Sequence, residues 1–164
     1  MPHSFGNVEY KVTQAVFFLE KLRLERELFA AQCFADAFVS STRSITLALQ
    51  ASSSEILEFG TWYAPHQSAL ANHKLSKYFL VYRNTSIHIG ETPVGIGAAK
   101  IAGGKMLFYF IRMENRVPPT DDVYTACREY FTIVLRIILD AQRSFARDYL
   151  PTQTAGCLIN TLST

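Results

Sequence analysis

The sequence is poor in cysteine and in charged residues. Its three cysteines, Cys33, Cys127 and Cys157, are far apart in 164 residues and form no CxxC pair. That spacing excludes a disulfide framework and a zinc site of the usual kind, and it fits reduced thiols in a cytosol. Charged residues make up 18% of the chain and apolar residues 49%, whereas about 25% charged is usual. We therefore expect some apolar surface to lie against another chain.

Long apolar runs are also missing. No stretch of 18 apolar residues occurs, and Arg136 interrupts the most apolar segment, residues 130–139. Residues 1–7 have no basic region followed by an apolar one, so they do not resemble a signal peptide. We expect a soluble, cytoplasmic protein without a membrane partner. The net charge of +2 is too small to indicate a nucleic-acid partner by itself, so any RNA site must be local.

Apolar residues at helical spacing predict four to five helices. The first covers residues 8–22, the charged run at 20–27 is expected to bend the chain, and residues 28–49 form the second helix. Residues 52–55, Ser-Ser-Ser-Glu, have the capping-box pattern and predict the start of a third helix there. Pro65 is expected to kink or end that helix.

Asn72 is predicted to cap a fourth helix, on which Leu80 and Ile87 lie two turns apart and turn toward the core. Residues 94–102 and 105–112 flank Gly103-Gly104, which predicts a two-stranded hairpin. Residues 118–122 resemble a helix start and predict a long last helix that ends near Pro151; residues 152–164 are left unassigned. The prediction is a single all-α domain over residues 1–164, an up-and-down helical bundle with a β-hairpin insertion at 93–112.

The residues with the most reactive chemistry are Arg83, Asn84 and His88, on the fourth helix. Asn84 and His88 are four residues apart and share a face, while Arg83 starts about 140° from His88 and reaches the same space only by its length. An imidazole exchanges protons near neutral pH, and a guanidinium binds phosphate. RNA supplies its own nucleophile, the ribose 2′-hydroxyl, so such a site cleaves RNA without a metal. One imidazole cannot readily be both acid and base, but a symmetric dimer supplies a second.

Other readings of these residues stay open. By spacing alone, an ordinary surface helix with an ion-pairing Arg83 and a capping His88 is favoured. Tyr78 and Tyr82 either stack on an exposed RNA base or pack as ordinary helix aromatics, and packing is favoured. His66 and His73 are interpreted as polar surface residues, because no cysteine or carboxylate stands at ligand spacing. We expect no metal and no cofactor.

Two segments resemble the HEPN superfamily. Residues 83–88, Arg-Asn-Thr-Ser-Ile-His, are similar to its signature of Arg and His separated by four to six residues, often with Asn directly after the Arg. Residues 35–46 are similar to the second helix of small prokaryotic members. The resemblance covers most of the chain, except that the hairpin is not part of the minimal bundle. It implies a homodimer whose motifs face each other, with Arg83 and His88 as the catalytic pair and Asn84 as their polar partner.

The resemblance implies a metal-independent endoribonuclease acting on an RNA substrate, in a toxin–antitoxin or phage-defence system, with an antitoxin protein as a candidate partner. The alternative is a non-catalytic HEPN module that binds RNA, a nucleotide or a protein. A third interpretation is an assembly subunit in which the motif is residual. Members modified by a nucleotidyltransferase antitoxin commonly have Tyr two residues after the His, and this chain has Gly90 there, which argues against that regulation.

Overall fold

Five helices and two short strands make up the part of the chain that the computed structural model describes, residues 4–97, 107–113 and 117–149. This confirms the predicted helical architecture with a small antiparallel hairpin before the last helix. No helix within those ranges is long and apolar enough to cross a membrane. The elements are α1 (Gly6–Leu24), α2 (Leu28–Ser52), α3 (Phe59–Asn72), α4 (Lys74–Ile89), β1 (Val94–Ile96), β2 (Phe108–Phe110) and α5 (Val123–Ser144).

The first two helices form an antiparallel pair. Residues 25–27 separate them, and the Glu25 carboxylate accepts hydrogen bonds from the backbone N–H groups of Arg26 and Glu27. The bend predicted in the charged run is therefore a break. Tyr149 packs against Phe5, just before α1, and its hydroxyl hydrogen-bonds Ser53, just after α2. The start of α1 and the end of α2 thus lie together, as antiparallel packing requires.

The predicted capping box is wrong. Residues 52–55 end α2 instead of starting α3, because the Ser53 N–H continues the α2 pattern by donating to the Leu49 carbonyl. Ser52, the predicted cap, is the last residue of α2, and the hydroxyl of the next residue, Ser53, is buried against Tyr149. A turn follows, and α3 begins at Phe59. The Ser-Ser-Ser-Glu pattern does not include the contact between Ser53 and Tyr149, which are 96 residues apart in the chain.

Helices α3 and α4 are joined by one residue. Pro65 lies inside α3, which continues to Asn72, so this proline does not end the helix. Asn72 was predicted to cap α4, but it is the last residue of α3. The residue that precedes α4, in the N-cap position, is His73. The fourth helix nevertheless carries residues 82–89, as expected.

The last helix supplies one side of the core. Asp122 caps it by accepting hydrogen bonds from the Thr125 N–H at 3.2 Å and the Thr125 hydroxyl at 2.6 Å. The helix ends at Ser144, earlier than the predicted end near Pro151. Its buried residues follow helical spacing, among them Val123, Cys127, Tyr130, Val134, Ile138 and Ala141.

The hairpin packs on the helices through its backbone and its aromatic residues. Strand β1 pairs with β2 antiparallel, with Val94 opposite Phe110. Gln32 of α2 donates to the Val94 carbonyl at 3.0 Å, and Tyr78 of α4 donates to the Ile111 carbonyl at 3.1 Å. The predicted turn at Gly103-Gly104 and the tail at 152–164 lie outside the described residues.

Candidate functional site

An aromatic cluster fixes the rotation of α4 about its axis. Tyr78, Phe79 and Tyr82 project from one side of the helix and surround Phe110 of β2, with ring centroids 5.4, 5.4 and 5.6 Å away. Phe79 also packs on Tyr130 of α5 at 4.8 Å. Burial of these rings is the largest apolar contribution that α4 makes. The opposite side of α4 therefore faces outward.

The same cluster decides between the two interpretations of Tyr78 and Tyr82. Both residues are buried, Tyr82 completely, so they offer no ring face to a base and they pack as core aromatics. Burial raises the pKa of both hydroxyls far above the usual value, and nearby Asp36 raises the pKa of Tyr82 further. Neither hydroxyl is therefore a proton donor or acceptor for chemistry at neutral pH.

The prediction that Leu80 and Ile87 turn toward the core is wrong. The two residues do lie on one line of α4, but their exposed fractions are 48% and 54%. The aromatic residues occupy the core side because they bury more area, and this rotates Leu80 and Ile87 outward. The outer side of α4 consequently combines apolar and polar groups.

The structure places Asn84 and His88 on this outer side and Arg83 on the adjoining flank. Asn84 and His88 are exposed and Arg83 is partly exposed. Asn84 lies opposite the core side, with His88 one turn further on. Arg83 lies toward the flank that faces α2 and α3. Across the described ranges, none of the three side chains has an ion-pair or hydrogen-bond partner within the chain, so all are available to a ligand or another chain.

Gly90 ends the helix directly beyond this site. Its φ of +77° is in the left-handed region, and its N–H donates to the Ser86 carbonyl. Glycine is favoured there because other residues meet steric strain in that conformation. Gly90 therefore has a structural role at the end of α4.

A second anchor for the site was missed in the sequence. The Ser86 hydroxyl of α4 donates to the Asp36 carboxylate of α2. This bond holds the last turn of α4, which carries His88, against the long second helix. The only signal in the sequence is an acidic residue among the small and apolar residues of α2, and that signal does not name Ser86.

No family model, curated protein or solved structure gives a significant match. The resemblance to HEPN proteins therefore rests on residues 83–88, residues 35–46 and the order of the helices, and it stays a prediction.

His66 lies apart from these residues. Its Nε2 is 3.3 Å from the Asp140 carboxylate, and its ring is 4.5 Å from that of Trp62. The contact with Asp140 connects α3 to α5, whereas Trp62 lies one turn earlier on α3 itself. In the ranges given above, no three His, Cys, Asp or Glu side chains are grouped closely enough to hold a metal.

Proposed function

We propose that this protein is a homodimeric endoribonuclease of HEPN type. One observation carries the proposal: the outer side of α4 presents an amide and an imidazole, the adjoining flank presents a guanidinium, and none of them has a partner in the described part of its own chain. Leu80, Ile87 and Ile89 are exposed on the same helix. Apolar groups around unpaired polar ones are typical of a surface that meets another molecule.

The proposed reaction uses the ribose 2′-hydroxyl as nucleophile. His88 of one protomer removes the hydroxyl proton, and the 2′-oxygen attacks the adjacent phosphorus. His88 of the other protomer gives a proton to the departing 5′-oxygen. The products are a 2′,3′-cyclic phosphate and a free 5′-hydroxyl. Arg83 stabilises the charge that develops on the phosphate oxygens, and Asn84 orients the phosphate or the imidazole.

The test is cleavage of RNA by the purified protein in EDTA. His88→Ala is expected to lower the rate about a hundredfold or more, and Arg83→Ala by a similar factor. Arg128→Ala is the matched control, because Arg128 is an exposed arginine on a different helix, α5. Since all three side chains are at least partly exposed, each variant should keep the stability of the wild type.

Two results would reject the assignment. The first is equal cleavage by the wild type and both site variants, which would place the activity elsewhere. The second is no cleavage of any RNA in a broad panel by the wild type. RNA binding that is lost in Arg83→Ala would then favour the alternative, a binding module without catalysis. A partner such as an antitoxin belongs to the same proposal and would be sought by co-purification.

A further inference from the structure

A groove lies between α2, α3 and α4, on the flank of α4 that carries Arg83. It encloses a cavity of about 290 Å³, close to the lower end of the usual range for ligand sites. Tyr63, Phe79 and Tyr130 are buried residues that line it, and Leu47 and Leu80 are exposed at its edge. The groove belongs to a single protomer.

The groove concentrates positive charge. Arg43 of α2 and Lys77 and Arg83 of α4 all line it, whereas none of its lining residues in the described part of the chain is acidic although the chain has 14 carboxylate residues. None of the three cations forms an ion pair with a carboxylate from residues 4–97, 107–113 or 117–149. Like charges that converge without a counter-charge repel each other, and an anionic ligand removes that cost.

Two further observations support an anion-binding site in the groove. Burial raises the pKa of Tyr63 and Tyr130, and in both cases the Arg43 cation opposes the shift, which places its charge beside these phenols. The Ser76 hydroxyl is buried in the groove and has no hydrogen-bond partner among the residues that the structure describes. A buried hydroxyl without a partner is costly, so a ligand oxygen at this point would stabilise it.

The groove leads to the candidate site. Ser76, Leu80, Arg83 and Ile87 follow one line along α4, and the first three line the groove. Helix α2 runs past α4 in the opposite direction, since Asp36 meets Ser86 near one end and Gln50 lines the groove with Ser76 near the other. Arg83 therefore stands where the groove meets the outer surface that carries Asn84 and His88.

We propose that this groove binds nucleotide phosphates, with Arg43 and Lys77 as the residues that hold them. This proposal rests on the proposed function in one respect. Arg83 lines the groove and, in the proposed function, also stabilises the scissile phosphate. The phosphates come either from the RNA strand next to the cleavage point or from a free nucleotide. The chemistry of recognition is the same, and experiment separates the two sources.

The experiment measures binding of a fluorescent 2′-O-methyl RNA oligonucleotide by anisotropy. This probe has the phosphates of RNA but lacks the nucleophilic hydroxyl, so binding is observed without cleavage. Arg43→Gln and Lys77→Gln are each expected to weaken binding about tenfold and to reduce the slope of log K against log salt by about 0.7. Arg43→Lys should restore part of the loss.

Each matched control removes one positive charge that lies outside the groove. Lys74→Gln lies one turn before Lys77 on α4, and Arg128→Gln lies on α5; neither residue lines the groove. Both should bind the probe as the wild type does. If all four glutamine variants bind equally well, or all four are weakened equally, the groove is not the site and the proposal is overturned.

Competition with ATP identifies the source of the phosphates. Displacement of the probe from the wild type by ATP, with weaker displacement from Arg43→Gln, indicates a free nucleotide. Displacement only by unlabelled oligonucleotide indicates an RNA strand. Either result supports the groove as a phosphate site.

The two proposals fail in different ways. If the probe binds through Arg43 and Lys77 but the wild type cleaves no RNA, the groove stands and the ribonuclease does not. If RNA is cleaved but neither binding of the probe nor its displacement by ATP depends on Arg43 and Lys77, the ribonuclease stands and the groove does not.

Discussion

Gly90 shows how a single residue limits the end of the helix that carries the site. Its left-handed φ of +77° allows the N–H to close on the Ser86 carbonyl. A Cβ atom at this position would meet nothing within 4 Å, so only the backbone conformation opposes substitution. A side chain there costs about 1 kcal/mol of stability for that reason alone.

We predict that Gly90→Ala lowers the free energy of unfolding by about 1 kcal/mol. Gly60→Ala is the matched control. Gly60 lies in the first turn of α3 and has no left-handed φ, and a Cβ atom added there would also meet nothing within 4 Å. It should raise stability by about 0.5 kcal/mol, since alanine reduces the entropy of the unfolded chain. Urea unfolding of both variants checks the pair. A change of the same sign in both would contradict the account.

At the scale of the helices, Asp122 is the best-defined cap. Its carboxylate satisfies the Thr125 N–H and hydroxyl at the start of α5, and α5 contributes much of the core. We predict that Asp122→Ala lowers the free energy of unfolding by about 1 kcal/mol. The measurement is again denaturant unfolding.

Asp121→Ala shows whether the stability lost in Asp122→Ala comes from the cap hydrogen bonds or from the loss of a negative charge. Asp121 is the exposed preceding residue and makes no cap bond, yet its removal takes the same negative charge away from the helix start. It should cost only a few tenths of a kcal/mol. Equal losses in the two variants would show that charge near the helix dipole, and not the cap, stabilises α5.

Local signals predicted the helices well where packing agrees with them. Residues 118–122 precede α5 as the sequence indicated, with Asp122 as the cap, and the charged run that begins in α1 does interrupt the helix. The serines at 52–54 gave an equally clear local signal that failed: α2 continues through Ser52, the predicted cap, and the Ser53 hydroxyl bonds to Tyr149. A pattern within four residues cannot anticipate a partner so distant in the chain.

The rotation of α4 shows the same limit for the site. The sequence placed Arg83, Asn84 and His88 on one helix, and the structure has them there. It also predicted Leu80 and Ile87 as buried, since both are apolar at helical spacing. Two apolar stripes compete on this helix, and the aromatic stripe of Tyr78, Phe79 and Tyr82 is the one that reaches the hairpin and α5. Which stripe is buried depends on elements that follow later in the chain.

At the scale of the whole molecule, the exposed apolar stripe gives the dimer proposal its physical basis. Leu80 and Ile87 flank Arg83 and Asn84, and their exposure is costly in an isolated chain. A twofold contact across this side of α4 would bury them and bring two copies of His88 to one pocket. The stripe and the proposed catalytic residues would then be parts of a single interface.

Mixing wild type with His88→Ala protein tests whether one pocket needs both imidazoles. After the subunits have exchanged at equal concentrations, about a quarter of the dimers contain two wild-type chains. If one His88 acts as base and the other as acid, only those dimers cleave at the full rate, and activity falls to about a quarter. If each chain works alone, activity falls to about half. Arg128→Ala protein, mixed in the same way, should leave the activity unchanged. Sedimentation in the same buffer measures the dimer fraction, and a monomeric wild type that still cleaves RNA would reject the shared pocket.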